Sequence, residues 1–368
     1  MLGVPVSAIP LARVAQTITV ARTALNTISR KMVPAPVALL ELATGFMTIH
    51  VLYALGRLGI ADELRHGPLP PTAVADRVGT NHDATHRLLR ACVMLGILRE
   101  DRQRRFGLTK VGELLRSDVP GSMLPVILLL GDPRYQGPWG HLPGTVRTGT
   151  AAATQALGQP MWDYLERDPE FAATFNAAMT RLSALDWPAV KAAYDFARFG
   201  TIIDIGGGHG QLLAQILAVA PLSQGVLVER AAVVAEATGL LREAGVIERC
   251  RLEVGSFFEV VPTHGDLYVM RRVIHDFDDA GATRILTNLR HHMPRGATLL
   301  LLESVVPPGS TPHFAKLLDL DVMLFVEGRE RTEREFATLL AQSGFSMSRV
   351  IPTMSTISLV EATVSEES

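Results

Sequence analysis

Residues 201–210 read TIIDIGGGHG, and the rest of the chain is best understood outward from them. A β-branched apolar run ends in Asp204 and breaks into Gly206, Gly207, Gly208 and Gly210, after which Gln211–Leu217 has a helical pattern. Glycine is needed where a strand turns sharply into a helix and where backbone must approach a ligand with no Cβ in the way. The stretch therefore predicts a nucleotide-binding turn. It is not a dinucleotide fingerprint, because G-x-G-x-x-G counted from Gly206 requires glycine where Gln211 stands. Glu229 closes the next apolar run, Gly225–Val228, roughly 20 residues further on, where an acidic side chain can bond both hydroxyls of a ribose.

Strand and helix patterns alternate from residue 200 onward. Strands are predicted at 201–205, 225–229, 250–254, 266–270 and 298–303, and residues 345–363 supply two more that form an antiparallel edge. This is an α/β fold, a doubly wound sheet with its ligand at the carboxyl ends of the strands. Upstream, residues 36–118 read as helices followed by a hairpin. Val37–Leu64 is helical in period, Pro71 opens a short helix, and 81–96 forms another with Asn81 or Asp83 as its cap. Ile97–Glu100 and Arg105–Thr109 pair around a charged turn. Together these make a winged helix. Its second helix carries Leu88, Leu89, Ala91, Cys92, Val93, Met94 and Leu95, which suits a core rather than base edges, so no nucleic-acid partner is expected. The predicted domains are an arm helix at 1–35, the winged helix at 36–118, a helical connector at 119–195 that contributes to a substrate pocket, and a catalytic domain at 196–368.

The chain has 368 residues, a hydrophobic fraction of 48%, a charged fraction of 20% and a net charge of −2, which fits a globular protein with ample core. Two cysteines, Cys92 and Cys250, cannot build a disulfide framework and suit a reducing, cytoplasmic compartment. No membrane span is expected, since the most apolar long stretch, 36–64, carries Glu41, His50, Arg57 and Asp62. The first forty residues hold Arg13, Arg22, Arg30 and Lys31 without any Asp or Glu, the composition of a transit or membrane-surface segment. Pro5, Pro10, Pro34 and Pro36 interrupt them, and an arm helix is the preferred reading.

The candidate chemistry follows the fourth strand, in Met270–Asp279. His275 stands just beyond a strand end, where a general base would face a ligand in the crevice. Glu303 ends the next strand on the same rim, and Glu330 opens the last major helix. Two carboxylates from separate elements can flank one imidazole, fix its tautomer and stabilise its protonated form. A calcium loop beginning at Asp276 is excluded, because Ala280 replaces one ligand and Thr287 the closing Glu. Asp278 or Asp279 instead caps a helix, and no metal is expected.

These motifs resemble the small-molecule O-methyltransferases that carry a winged-helix dimerisation domain. The group includes the plant caffeate and isoflavone enzymes, the acetylserotonin and hydroxyneurosporene enzymes, and bacterial polyketide-tailoring relatives. The resemblance runs from about residue 36 to 363. It is carried by Asp204–Gly210, Glu229, Val254–Phe258, His275–Phe277, Glu303 and Gly328–Thr332, with Phe175–Met179 and Ser183 as a further matching stretch. It implies a class I methyltransferase fold and S-adenosylmethionine as cofactor. Asp204, Gly206, Gly208, Gly210, Glu229, Ser256, Phe257, Arg271, Met179 and Ser183 would hold it, with Arg271 near the adenine. His275 would be the base and Glu303 and Glu330 its supports. It also implies a homodimer paired through the N-terminal domain. Ser256 stands where the family usually has Asp, Arg271 where it has Lys, Phe277 where it has Trp, and His209 where it has Thr or Ser. The expected reaction is in-line methyl transfer to a hydroxyl, phenolic for preference, of a small aromatic molecule. Met179, Phe314, Met323 and Phe325 are candidates for the apolar substrate wall. Two alternatives are a relative that turned to hydroxylation or decarboxylation, and a cofactor-sensing DNA-binding regulator. An aligned His-Glu-Glu set argues against the first.

Overall fold

The computed structural model describes Leu25, residues 27–259, Pro262 and residues 264–365. Most of the expected arm at 1–35, with its basic residues Arg13 and Arg22, lies outside the described residues. The chain groups into two compact units. One comprises residues 142–154 and 186 onward, the other residues 24–141 and 155–185.

The second unit opens with α1 (Ala35–Ala43), α2 (Phe46–Arg57) and the single turn α3 (Ile60–Glu63). The predicted helix 37–64 is thus broken twice, at Thr44–Gly45 and at Gly59, whose φ of 65° suits glycine. α4 (Pro71–Val78) and α5 (His82–Met94) follow, and Asn81 caps α5 by accepting from the Ala84 amide at 3.0 Å. The hairpin joins β1 (Leu98–Glu100) to β2 (Phe106–Leu108) in antiparallel register. Leu55, Ile60, Val74, Leu89, Cys92, Leu98 and Phe106 form its core. Met94, expected inside, is 80% exposed, because the buried stripe of α5 runs through Thr85, Leu89 and Cys92 and leaves Met94 on the outer face with Arg87 and Arg90. α1 buries no residue at all. By length and composition alone, Ala35–Arg57 is long and apolar enough to cross a membrane, with mean hydropathy 1.6. This stretch ends before Asp62, and the turn at Thr44–Gly45 divides it into two helices.

The helices α6 (Leu124–Gly131), α7 (Pro133–Gly140), α8 (Leu142–Thr148), α9 (Ala152–Leu157), α10 (Met161–Arg167) and α11 (Pro169–Ala193) come next. In the second unit Arg134 of α7 bonds Asp132 and Asp168 while lying over the Phe171 ring.

The first unit holds a seven-stranded sheet in the order β10-β11-β7-β6-β3-β4-β5. Its strands are β3 (Thr201–Ile205), β4 (Gln224–Glu229), β5 (Cys250–Val254), β6 (Leu267–Arg271), β7 (Thr298–Glu303), β10 (Phe345–Pro352) and β11 (Ser358–Val364). β3 to β7 are parallel, and β11 and β10 add the antiparallel edge that the sequence predicts. The helices α12 (Gln211–Val219), α13 (Ala231–Glu243), α14 (Asp279–His292), α15 (Ala315–Val326) and α16 (Glu333–Gln342) complete the unit, with a short parallel pair of β8 (Val305–Val306) and β9 (Arg331–Thr332).

Strand side chains alternate in direction, so each strand serves two cores. Ile203, Ile205, Met270, Leu299 and Leu301 pack on one face, while Ile202, Leu227, Val269, Leu300 and Leu302 pack on the other. Strand order reverses at β3, from which the chain runs out to β4 and β5 and then returns to β6 on the other side. Crossovers on either side of β3 leave a crevice at its carboxyl end. Leu301 has no exposed surface in the middle of this sheet. Leu301→Ala should therefore lower stability by about 2–5 kcal/mol, read as a shift in the urea midpoint at unchanged slope.

Candidate active site

The glycine turn sits at the strand-order reversal. Gly206, Gly208 and Gly210 have φ of 67°, 58° and 79°, values that a side chain strains. Gly207 is required for space, since a Cβ there would lie 2.4 Å from Asp204 Oδ2 and 2.6 Å from Leu227. Asp204 is thus folded beneath the loop with no exposed surface, and it underlies Gly207 rather than facing a ligand directly. Burial, reinforced by the Glu229 charge, pushes its carboxyl up to about 7. Glu229 emerges at the end of β4, with Oε2 accepting from the Gly208 amide at 3.2 Å and Oε1 from the Arg230 amide at 2.8 Å. His209 pairs with Glu236 of α13 at 3.0 Å. Ser256 Oγ accepts from the Phe258 amide at 3.2 Å, and Phe257 packs edge-on against Phe258 and Phe277 beside Gly206.

β6 leads into a 3-10 turn, Ile274–Asp276, that carries His275. Val273, immediately before it, lies against the glycine loop: a Cβ on Gly206 would be 3.1 Å from its Cγ2. The imidazole is buried. Its Nδ1 is 2.8 Å from Glu330 Oε1, and its Nε2 is 3.3 Å from Asp276 Oδ1. Glu330 is held at its backbone and through Oε1, while Oε2 is buried without a hydrogen-bond partner. Its amide donates to Asp319 at 2.8 Å, and the next residues, Arg331 and Thr332, form β9. Thr332 and Glu335 then close a capping box on α16. Gly328 brings this segment against the turn, where a Cβ would fall 2.0 Å from the His275 carbonyl oxygen. The Arg329 amide donates to that oxygen at 2.9 Å. Burial pushes the Glu330 carboxyl up to about 8 and that of Asp276 up to about 6.

Glu303 flanks the imidazole from β7, and its hydrogen bonds go to the backbone of the turn. Its Oε1 accepts from the Val273 and Ile274 amides at 3.2 and 3.0 Å, so it fixes the backbone of the turn and lies within 4.8 Å of the ring without bonding it. The physical reason is position. Ending β7 next to β6, it meets the first free amides of the turn before it can reach the side chain beyond them. Burial raises its carboxyl as well. His275, Glu303 and Glu330 are close enough together to suggest a cation, but at 2.8 Å Nδ1 and Oε1 are joined through a proton rather than spread around an ion. Asp278 caps α14 by accepting from Gly281 at 2.7 Å, and Asp279 pairs with Arg331 at 2.8 Å.

Arg271, the last residue of β6, bonds Asp186 at 3.0 Å, and burial pushes its guanidinium down to about 10. Arg272 follows with φ of 49°, a left-handed conformation that costs a residue with a Cβ about 1–2 kcal/mol. Neither Asp186 as the partner of Arg271 nor Asp276 beside Nε2 was visible in the sequence. A carboxylate between Leu185 and Trp187 in a long helix was the one available signal. Of the expected substrate wall, Phe314 is exposed and Met323 half-buried, but Phe325 is in the core on the same side of α15 as Val322. Met179 and Ser183 are half-buried on α11, in the other unit.

The comparisons fit this geometry. Residues 139–346 match the family model of the O-methyltransferase domain, and residues 40–118 that of the O-methyltransferase dimerisation domain. A phenazine O-methyltransferase of Lysobacter antibioticus is 39% identical over 330 residues, covering 90% of this chain and 96% of its own. An 8-amino-8-demethylriboflavin N,N-dimethyltransferase of Streptomyces davaonensis is 38% identical, covering 82% and 88%. Among solved structures, an O-methyltransferase from neocarzinostatin biosynthesis aligns with a TM-score of 0.74 at 30% identity, covering 86% of this chain and 96% of its own. That structure holds S-adenosylmethionine and 2-hydroxy-5-methyl naphthoic acid. With a glycine turn at a strand-order reversal, an acid at the end of the next strand and both family models matched, the chain belongs to the S-adenosylmethionine-dependent O-methyltransferases that carry a dimerisation domain.

Proposed function

We propose that the protein methylates a hydroxyl, phenolic in character, on a small aromatic molecule, with His275 as general base. The observation that carries this reading is the buried His275–Glu330 pair, 2.8 Å apart, on a turn that packs against the glycine loop. With Nδ1 donating to Glu330, the neutral ring presents the lone pair of Nε2. When bound, S-adenosylmethionine supplies an electrophilic methyl group on a positively charged sulfur, and transfer leaves a neutral sulfide. Nε2 takes the acceptor's proton as the new O–C bond forms, and the imidazolium is then flanked by Glu330 on one nitrogen and Asp276 on the other. The relatives include enzymes named for both oxygen and nitrogen methylation. A fixed base favours oxygen, because a phenol is a weak nucleophile until its proton leaves, whereas a neutral amine can attack first.

Glu229, Ser256, Phe257, Arg271 and the glycine loop are the residues assigned to the cofactor in this unit, with Glu229 on the ribose. Glu303 acts by holding the turn. The wall of the acceptor site is assigned to Met323 and Phe314, and the aromatic acid bound by the neocarzinostatin relative indicates its class of ligand. The exposed apolar residues Val37, Leu39, Leu40, Leu42, Phe46 and Met47 lie on or beside α1 and α2, and most of them fall within the dimerisation model. They fit a homodimer formed through this winged-helix domain. Two free cysteines, Cys92 and Cys250, suit a cytoplasmic enzyme.

Four measurements test this reading. His275→Ala should leave S-adenosylmethionine affinity within a few-fold by calorimetry while turnover of a phenolic acceptor falls by about 10²–10⁴. Near-normal turnover would remove the residue from the mechanism. Glu303→Gln should cost less. Glu229→Ala should weaken cofactor binding by about 1.5–3 kcal/mol, and unchanged binding would contradict the ribose assignment. Light scattering at low micromolar concentration should give twice the chain mass, reflecting an interface of more than about 2,000 Å².

A further inference from the structure

β5 is an edge strand of the sheet, so the chain that leaves it after Val254 has a neighbouring strand, β4, on one side only. Gly255 still follows that strand, donating its amide to the Glu229 carbonyl at 3.1 Å. Residues 256–259 then close a turn on themselves. Ser256 Oγ accepts from the Phe258 amide at 3.2 Å, and the Ser256 carbonyl accepts from the Glu259 amide at 2.9 Å. These bonds use amides of the turn, and its Phe257 and Glu259 carbonyls need acceptor partners from elsewhere. Both are met by one side chain. Asn288 Nδ2 donates to the Phe257 carbonyl at 2.9 Å and to the Glu259 carbonyl at 2.6 Å. Two carbonyl oxygens at these distances require the amide nitrogen and use both of its hydrogens.

Asn288 lies inside α14, where asparagine is a poorer helix former than alanine and its side chain ordinarily competes for nearby backbone. Here the side chain reaches back 31 and 29 residues instead. Arg284, four residues before it and so on the same face of the helix, sets its guanidinium 4.3 Å from the centre of the Phe258 ring. One face of α14 therefore grips the turn by its backbone and by a ring. The grip decides where Phe257 stands. Its ring centre is 4.9 Å from that of Phe258 and 5.7 Å from that of Phe277, and a Cβ on Gly206 would lie 3.6 Å from its Cε1.

We propose that Asn288 is a positioning residue for the cofactor: by holding the two carbonyls on either side of Phe258, it fixes the Phe257 ring against the glycine loop at the point where strand pairing ends. The inference rests on Phe257 touching S-adenosylmethionine. Without these bonds the turn still closes through Ser256, but it is no longer tied to α14, and ligand binding must restore the order that the asparagine supplies in advance.

The test is calorimetry of S-adenosylhomocysteine binding to the full-length protein. Asn288→Ala should weaken binding about tenfold, in line with the loss of two neutral hydrogen bonds. Asn288→Asp has the same shape but sets a carboxylate against two carbonyls, and should weaken binding at least as much. Alanine suits a helix interior, so the first variant keeps α14 even if the second does not fold. Phe257→Ala should weaken binding by itself. Adding Asn288→Ala to it should then change the affinity by less than about twofold, because the ring that Asn288 places is gone. Where Phe257→Ala is weakened, parent-like binding by Asn288→Ala overturns the role of Asn288 alone. A double variant in which the two losses multiply does the same, since it shows Asn288 acting independently of the ring. Parent-like binding by Phe257→Ala overturns the assignment of Phe257 to the cofactor, and the inference with it.

Discussion

The sheet is apolar on both faces, and this constraint decides where the protein can do chemistry. The middle strands run parallel, with helices and two separate cores covering them, so their interior positions admit little but aliphatic side chains. Polar groups collect where the strands end. Asp204, Glu229, Arg271 and Glu303 each stand at or next to the last residue of a parallel strand, and the turn with His275 continues directly from β6. The glycine loop, the imidazole and the carboxylates meet because adjacent strands deliver them to one rim.

Collecting polar groups at a buried rim brings an electrostatic cost, and the arrangement around His275 is shaped by it. Glu303 spends its charge on two backbone amides, Glu330 on the imidazole and Asp276 beside Nε2. The packing is close enough to be specific. Gly328 tolerates no Cβ against the His275 carbonyl, so the segment that brings Glu330 to the ring can adopt its course only with glycine at that position.

Hydrophobic patterning made most of the fold legible. Runs such as Thr298–Leu302, followed by a charged residue, identify a fully buried strand and its end without any knowledge of neighbours. The N-terminal unit was harder to read, because its helices mix two purposes. Leu55 and Ile60 enter the core, whereas Leu39, Leu40, Phe46 and Met47 stay exposed, and periodicity alone does not distinguish a residue that packs within one chain from one that needs a second. Met94 was misjudged for a related reason: hydrophobicity gives the tendency to be buried but not the face of the helix.

The sequence by itself determined the order of strands and helices, the glycine turn, and the identities of His275, Glu303 and Glu330 as a set, since each is tied to the end of a strand or the start of a helix. Tertiary structure alone decided how that set is wired. Glu330, 55 residues beyond His275, bonds the ring, while Glu303, 28 residues beyond it, bonds the backbone. Asp186, on a helix well before the sheet begins, supplies the partner of Arg271. Hydrogen bonds of this kind depend on separations of a few tenths of an ångström between elements far apart in the chain, and local pattern carries no information at that scale.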